Sequence, residues 1–212
     1  SLISPDPACR RMMGLALRNV RLTLLCDGKE LFTEQGEALF THFGLSGPLV
    51  LSASTYIEDI AKHRYICELD LKPALDEKTL YDRLTRDFAE QGAHSAQGAL
   101  AKLLPNSMRP VAVEKWGVDP ATRAAQITKE QKLALVQLCK HWQVPVTALG
   151  DKEHAVVTAG GVDVKEVDPK TMASKLCGGL YFAGEVLDVD ARTGGYNLQI
   201  AWSTAQAAVR AL

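Results

Sequence analysis

The feature that most constrains this chain is the order of its two hydrophobic periodicities. Strand-like alternation comes first, a block with apolar residues every third or fourth position follows over residues 76–142, and strand-like segments return after Val144-Pro145. Periodicities segregated in this way, rather than interleaved, predict an α+β architecture with an antiparallel sheet. In the first block Val20, Leu22, Leu24 and Cys26 alternate with Arg21, Thr23 and Leu25, which suits a strand with one buried face. Asp27-Gly28 then signals a tight hairpin. A return strand covers Lys29 to Glu34, Gln35-Gly36 reads as a looser turn, and a third strand spans Glu37 to Phe43. Strands this short and close predict a meander or small barrel. Tyr65 to Leu71 alternates again and ends at Pro73.

The helical block has readable punctuation. Asp76 is a candidate N-cap for a helix carrying Leu80, Leu84 and Phe88, and Gly92 ends it. A shorter helix covers Ala96 to Leu104 and stops at Pro105, and a third runs from Arg109 to Trp116 before Gly117. Thr128-x-x-Gln131 forms a capping box ahead of a fourth, with Leu135, Leu138, Cys139 and Trp142 at helical spacing. Beyond it, His154 to Thr158 and Val162 to Val167 read as strands broken by Ala159-Gly160-Gly161. Leu180 to Ala183 form a short apolar strand ended by Gly184-Glu185, and Gly194-Gly195 precede an alanine-rich helical pattern. Two glycines before a helix let the backbone approach something bulky. The N–H groups of the first turn then favour an anion or a carbonyl oxygen.

Composition removes several classes. A net charge of −1 argues against nucleic acid or an acidic membrane as the main partner. No apolar run approaches the roughly 18 residues of a membrane span, and the first residues carry no secretory pattern. Cys9, Cys26, Cys67, Cys139 and Cys177 are odd in number and lack a CxxC pair, so reduced thiols in the cytoplasm are expected. The five histidines are scattered without HExxH, and no metal site is expected. His42 and Gly44-Leu45-Ser46-Gly47 do not make a nucleophile elbow, because the second glycine comes one residue early. Pro48 reads instead as a helix start. No phosphate-loop pattern and no strand–GxGxxG–helix unit occur.

Three segments carry a more specific signal. They are GEALFTHFGLSGP from Gly36 to Pro48; TAGGV from Thr158 with TMASK from Thr171; and GLYFAGEVLDVD from Gly179 with TGGYNLQ from Thr193. In this order and spacing the chain resembles the HI0933-like or BaiN/RdsA family of NAD(P)/FAD-dependent oxidoreductases. The resemblance implies an FAD domain split in sequence around an insert made of a small antiparallel β-barrel and a helical subdomain. On that template residues 1–157 are the insert domain, with the barrel at about 10–72 and 144–157 and the helical part at about 76–142. Residues 158–212 are the C-terminal part of the FAD-binding domain. The GxGxxG half is not in this sequence, so the resemblance implies the C-terminal portion of a longer protein. Such a portion would bind FAD weakly by itself and would expose apolar surface that a homo-oligomer could cover.

The implied activity is NAD(P)H-driven reduction of a small-molecule substrate, with no role for nucleic acid or membrane. The alternative is a non-catalytic interaction module derived from a flavoprotein. The resemblance places Gly184 and Glu185 at the ribityl or phosphate part of FAD. It places Gly194, Gly195, Tyr196, Asn197 and Leu198 at the pyrimidine edge of the flavin, and Gly160 and Gly161 near the ring. Thr41 and His42 are placed on the substrate side. No catalytic residue is assigned, because hydride chemistry belongs to the cofactor.

Overall fold

The computed structural model describes residues 1–212 other than Lys152, His154 and Thr193. The chain divides into two compact units, Ser1–Leu149 and Gly150–Leu212. Among the described residues, no helix is long and apolar enough to cross a membrane.

The first unit holds strands β1 (Leu2–Ile3), β2 (Ala16–Cys26), β3 (Lys29–Phe40), β4 (Gly44–Ser46), β5 (Tyr65–Asp70), β6 (Trp142–Val146) and β7 (Ala148–Leu149). All pair antiparallel, in the order β6-β5-β2-β3-β4-β1-β7. The two outermost strands are one run of chain. Val144 pairs with Cys67 of β5, Leu149 pairs with Leu2 of β1, and between them Thr147 N–H donates to the Ile3 carbonyl at 2.9 Å. A single segment therefore bonds both sheet edges, and the sheet closes into the expected barrel. Alternate residues fill it: Leu22, Leu24, Phe40, Cys67, Leu69, Trp142 and Val144 are buried.

The hairpin at Asp27-Gly28 forms as read, with φ of 50° and 83°, the signs a type I′ turn requires. Gln35-Gly36 is not a turn, and β3 runs through it unbroken. Gly36 pairs with Val20 and Ala38 with Leu17, so Arg18 and Asn19 together oppose Glu37 in a β-bulge. A Cβ at Gly36 would lie 3.6 Å from Leu49, an ordinary contact, so packing does not require a glycine there.

The helices of this unit are α1 (Pro7–Arg11), α2 (Pro48–Ser54), α3 (Glu77–Glu90), α4 (Ala96–Ala99), α5 (Met108–Trp116) and α6 (Lys129–Lys140). Pro48 opens α2 as expected. Asp76 Oδ1 accepts from Thr79 N–H at 2.7 Å and caps α3. At α6 the capping box is complete: Thr128 Oγ1 accepts from Gln131 N–H, and Gln131 Oε1 accepts from Thr128 N–H. Leu80, Leu84 and Phe88 of α3 are buried, as are Leu135, Val136 and Cys139 of α6, and the two helices pack together. Trp142 leaves the helical stripe, because α6 ends at Lys140 and Trp142 pairs with Leu69 in the barrel. Lys140 Nζ clamps this junction, lying 2.5 Å from Asp70 Oδ2 and donating to the Leu75 carbonyl at 2.7 Å.

Among the described residues, the second unit contains one long helix, α7 (Tyr196–Ala211), and 3-10 turns at Val164–Glu166 and Gly184–Val186. The strands expected at 154–158, 162–167 and 180–183 do not form among the described residues; His154, which opens the first, lies outside them. Val162 and Tyr181 make only isolated bridges, to Leu187 and Ala173. Apolar, β-branched sequence favours a strand, but a strand also needs a neighbour for its N–H and C=O groups. The small core is Val167, Met172, Leu187 and Ala208, with Tyr181, Phe182 and Val189 packed against it.

Candidate functional site

The start of α7 has the properties read from Gly194-Gly195. Gly195 takes φ 89° and, among the described residues, no side chain caps the helix. The first-turn N–H groups of this 16-residue helix are the positive end of its dipole. Asn197, a residue type that caps well, is occupied elsewhere. Its Oδ1 accepts from Ala191 N–H at 2.7 Å and its Nδ2 donates to the Ala191 carbonyl at 2.9 Å. A Cβ built on Gly195 would meet nothing within 4 Å, so no packing inside the chain requires a glycine there. Gly194 differs, since its Cβ would lie 3.4 Å from the Tyr196 ring. Tyr196 and Leu198 are exposed.

Glu185 sits in the turn that precedes this helix in sequence. Its Oε1 accepts from Thr158 N–H at 2.9 Å and from Thr158 Oγ1 at 3.1 Å, and these bonds hold the carboxyl below its usual pKa. Both bonds fall on one oxygen of an exposed side chain. Gly160 N–H donates to Asp188 Oδ1 at 3.1 Å, and Val162 N–H to the Val186 carbonyl at 2.9 Å. Gly184 N–H donates to Thr204 Oγ1 on α7 at 3.0 Å. Residues 158–162, 184–191 and the start of α7 are therefore one hydrogen-bonded cluster.

Within it the glycines have different duties. Gly161 is consumed by packing: its φ is 145°, and a Cβ would stand 2.5 Å from the Val186 carbonyl oxygen. Gly184, at φ 75°, would bring a Cβ 3.7 Å from Ala201. Gly160 and Gly195 are open. An uncapped helix start beside a bare glycine suits a planar group with carbonyl or anionic edges. The exposed Glu185 carboxylate can accept a bond from a hydroxyl group. These residues fit a flavin with its polyol chain. Thr193, the first residue of the TGGYNLQ segment, lies outside the described residues.

Other residues singled out in the sequence play local roles. Thr41 Oγ1 accepts from Gly44 N–H at 3.1 Å, and His42 packs edge-on against Phe43. Ser46 Oγ lies 3.1 Å from Ser1 Oγ. One grouping was not legible: Cys26, Asp27 and His63 bring ligand-type atoms within 4.8 Å of one another. Asp27 Oδ2 lies 2.7 Å from His63 Nδ1, and its Oδ1 accepts from Arg64 N–H at 2.9 Å. The carboxylate thus clasps the loop that precedes β5. Residues so far apart in sequence carry no spacing signal.

Comparison with known proteins adds a family. The family model described as the HI0933-like protein barrel and H2TH domain matches residues 2–157. A ribosomal RNA dihydrouridine synthase of Haemophilus influenzae is 35% identical over 202 residues, covering 95% of this chain and 47% of the relative. The Escherichia coli ribosomal RNA dihydrouridine synthase is 34% identical over 206 residues, covering 97% of this chain and 49% of the relative. A 3-dehydro-bile acid delta(4,6)-reductase of Clostridium scindens is 30% identical over 198 residues, covering 91% and 48%. The chain spans about half the length of the curated relatives it matches.

Proposed function

This chain belongs to the HI0933-like family, and from that premise we propose that it forms part of an FAD-dependent reductase acting on a carbon–carbon double bond conjugated to a carbonyl. The relatives' names point to that shared chemistry. Uridine becomes dihydrouridine by gaining two hydrogens across the ring double bond beside its C4 carbonyl, and a delta(4,6) 3-oxo steroid presents the same conjugation. The two relatives named for ribosomal RNA favour a uridine of ribosomal RNA as substrate. The bile-acid reductase supports a small-molecule enone as the second reading.

The observation that carries the reading is the uncapped start of α7 beside the open Gly195. In the proposed assignment residues 1–157 are the insert domain and 158–212 contribute to the FAD domain. Gly195 and the N–H groups of Tyr196, Asn197 and Leu198 hold the pyrimidine edge of the flavin. The positive end of α7 there favours negative charge on that edge. Glu185, fixed by Thr158, accepts a hydroxyl of the ribityl chain, and Gly160 offers an open backbone surface. Gly161 and Gly184 hold the cluster together. When bound, FAD reduced by NAD(P)H would supply the hydride, and a proton would complete the addition across the double bond. This chain alone presents only part of such a site and binds FAD weakly.

The test is made on the whole protein, expressed with flavin available. It should purify yellow, oxidise NAD(P)H, and restore dihydrouridine to ribosomal RNA from a strain lacking the gene. Gly195→Val should abolish flavin retention while leaving the thermal melt of the barrel unchanged. Purification without flavin would favour the interaction-module reading. A sub-micromolar Kd for FAD on this chain alone would overturn the claim of a partial site.

A further inference from the structure

We propose that the cleft where the barrel meets the helical block of the first unit docks a backbone phosphate of single-stranded RNA. This rests on the ribosomal RNA reading above and adds a second contact region to it. The cleft has a volume of about 230 Å³. Arg18, Asn19 and Lys72 form its polar wall, and Leu17, Leu104 and Met108 contribute to an apolar floor. No carboxylate lines it among the described residues.

Four features make the wall an anion receptor. First, Arg18 and Asn19 are the two bulged residues of β2, and a bulge re-aims side chains that a regular strand would send to opposite faces. Second, Lys72 is half-buried, and the nearby charge acting on it most is a second cation, Arg83. Burial and Arg83 both pull its pKa below the usual lysine range. The closest acidic residue in sequence, Asp70, is already engaged by Lys140 Nζ and by the backbone N–H of Lys72. Third, Asn19 Oδ1 accepts from Gln35 Nε2 at 2.7 Å, which turns its amide N–H groups to donor duty. Fourth, α5 starts at Met108 in the cleft, and because its Met108 and Arg109 N–H groups already donate to the Pro105 carbonyl at 3.1 and 3.2 Å, it contributes the field of its positive end rather than free donors. A half-buried cation without a counter-ion is costly, and a phosphate supplies one. The net charge of −1 averages this local excess away.

The experiment measures fluorescence anisotropy of a labelled uridine-rich single-stranded RNA with the 212-residue chain across a salt series. The double variant Arg18→Ala/Lys72→Ala should weaken binding by roughly 10–100-fold and flatten the slope of log K against log salt by about 0.7, the value for one phosphate contact on a single strand. Lys72→Arg should retain most affinity, and the exposed Lys129→Ala should change neither quantity. If a Lys72 variant fails to fold, the exposed Arg18→Glu carries the same test. Wild-type binding that ignores these substitutions would overturn the cleft and leave the RNA substrate reading intact. Displacement of the RNA by stoichiometric NADPH would assign the cleft to dinucleotide phosphates instead, and would also overturn it. Absence of RNA binding at low salt would do so too, while the dihydrouridine assay tests the substrate reading separately.

Discussion

The two units are held by unequal means. Among the described residues, Ser1–Leu149 buries 42 apolar residues in one contiguous cluster, whereas Gly150–Leu212 buries four. Of the fifteen large apolar side chains that remain exposed among the described residues, ten lie in the second unit, including Trp202 and Val209, each at least 65% exposed. The first unit's strands form ladders that close on themselves, while the second unit's extended segments meet in single bridges. Closure satisfies backbone groups and buries side chains in the same step. Without it, the second unit relies on side-chain clasps such as Thr158–Glu185 and Asn197–Ala191. Stability and the candidate cofactor contacts are therefore concentrated in different parts of the molecule.

Hydrogen exchange should give the largest contrast. Amides of β2, β3 and β5 should outlast those of residues 158–190 by at least about a hundredfold, because local opening is cheapest where buried contacts are few. Equal protection would erase the distinction between the units. Core truncation comes next. Trp142→Ala should cost about 3–5 kcal/mol in denaturant titration, while Trp202→Ala should stay within about 0.5 kcal/mol. A comparable loss at Trp202 would mean that α7 is covered.

Two glycines sharpen the comparison further. Gly44→Ala should cost more than about 2 kcal/mol from strain and overpacking, because its Cβ would stand 2.2 Å from the Leu2 carbonyl oxygen. Gly195→Ala should cost only about 1 kcal/mol, the penalty of a left-handed φ. A further effect is confined to the alkaline range. Burial pushes the Cys67 and Cys139 thiols up from 9.0 to about 12. Below pH 9 both stay protonated in the folded and unfolded chains, and they add no pH dependence. Between pH 9 and 12 the unfolded chain ionises first, so stability should fall by up to about 1.4 kcal/mol per pH unit for each thiol. Cys67→Ala should shallow that slope by half of the two-thiol contribution, and an unchanged slope would count against buried neutral thiols.

Much of the first unit was legible because its signals are local. The Asp27-Gly28 hairpin, the Asp76 cap, the Thr128–Gln131 box and the Gly117 helix end each depend on a few adjacent residues. The misread positions depend on distant partners. Gly36 reads as a turn because glycine often ends strands, but its pairing with Val20 keeps it inside β3. Trp142 continued a helical spacing, yet its pairing with Leu69 claims it for the barrel. The apolar runs at 155–158 and 180–183 had strand composition without a strand beside them. At the candidate site the glycine pair ahead of α7 was readable. The Thr158–Glu185 clasp and the crossing of Gly161 over Val186 join residues more than twenty positions apart.

By itself, then, the sequence determined the class of architecture, the helix caps, the hairpin and the glycine turn at the start of α7. These follow from φ preferences and from hydrogen bonds spanning three or four residues. Tertiary structure alone decided that residues 142–149 close the barrel, that Gly161 packs while Gly195 stays open, and that Arg18 and Lys72 share a cleft. Those outcomes depend on which distant backbone or side chain arrives at a given place, and local periodicity does not encode that.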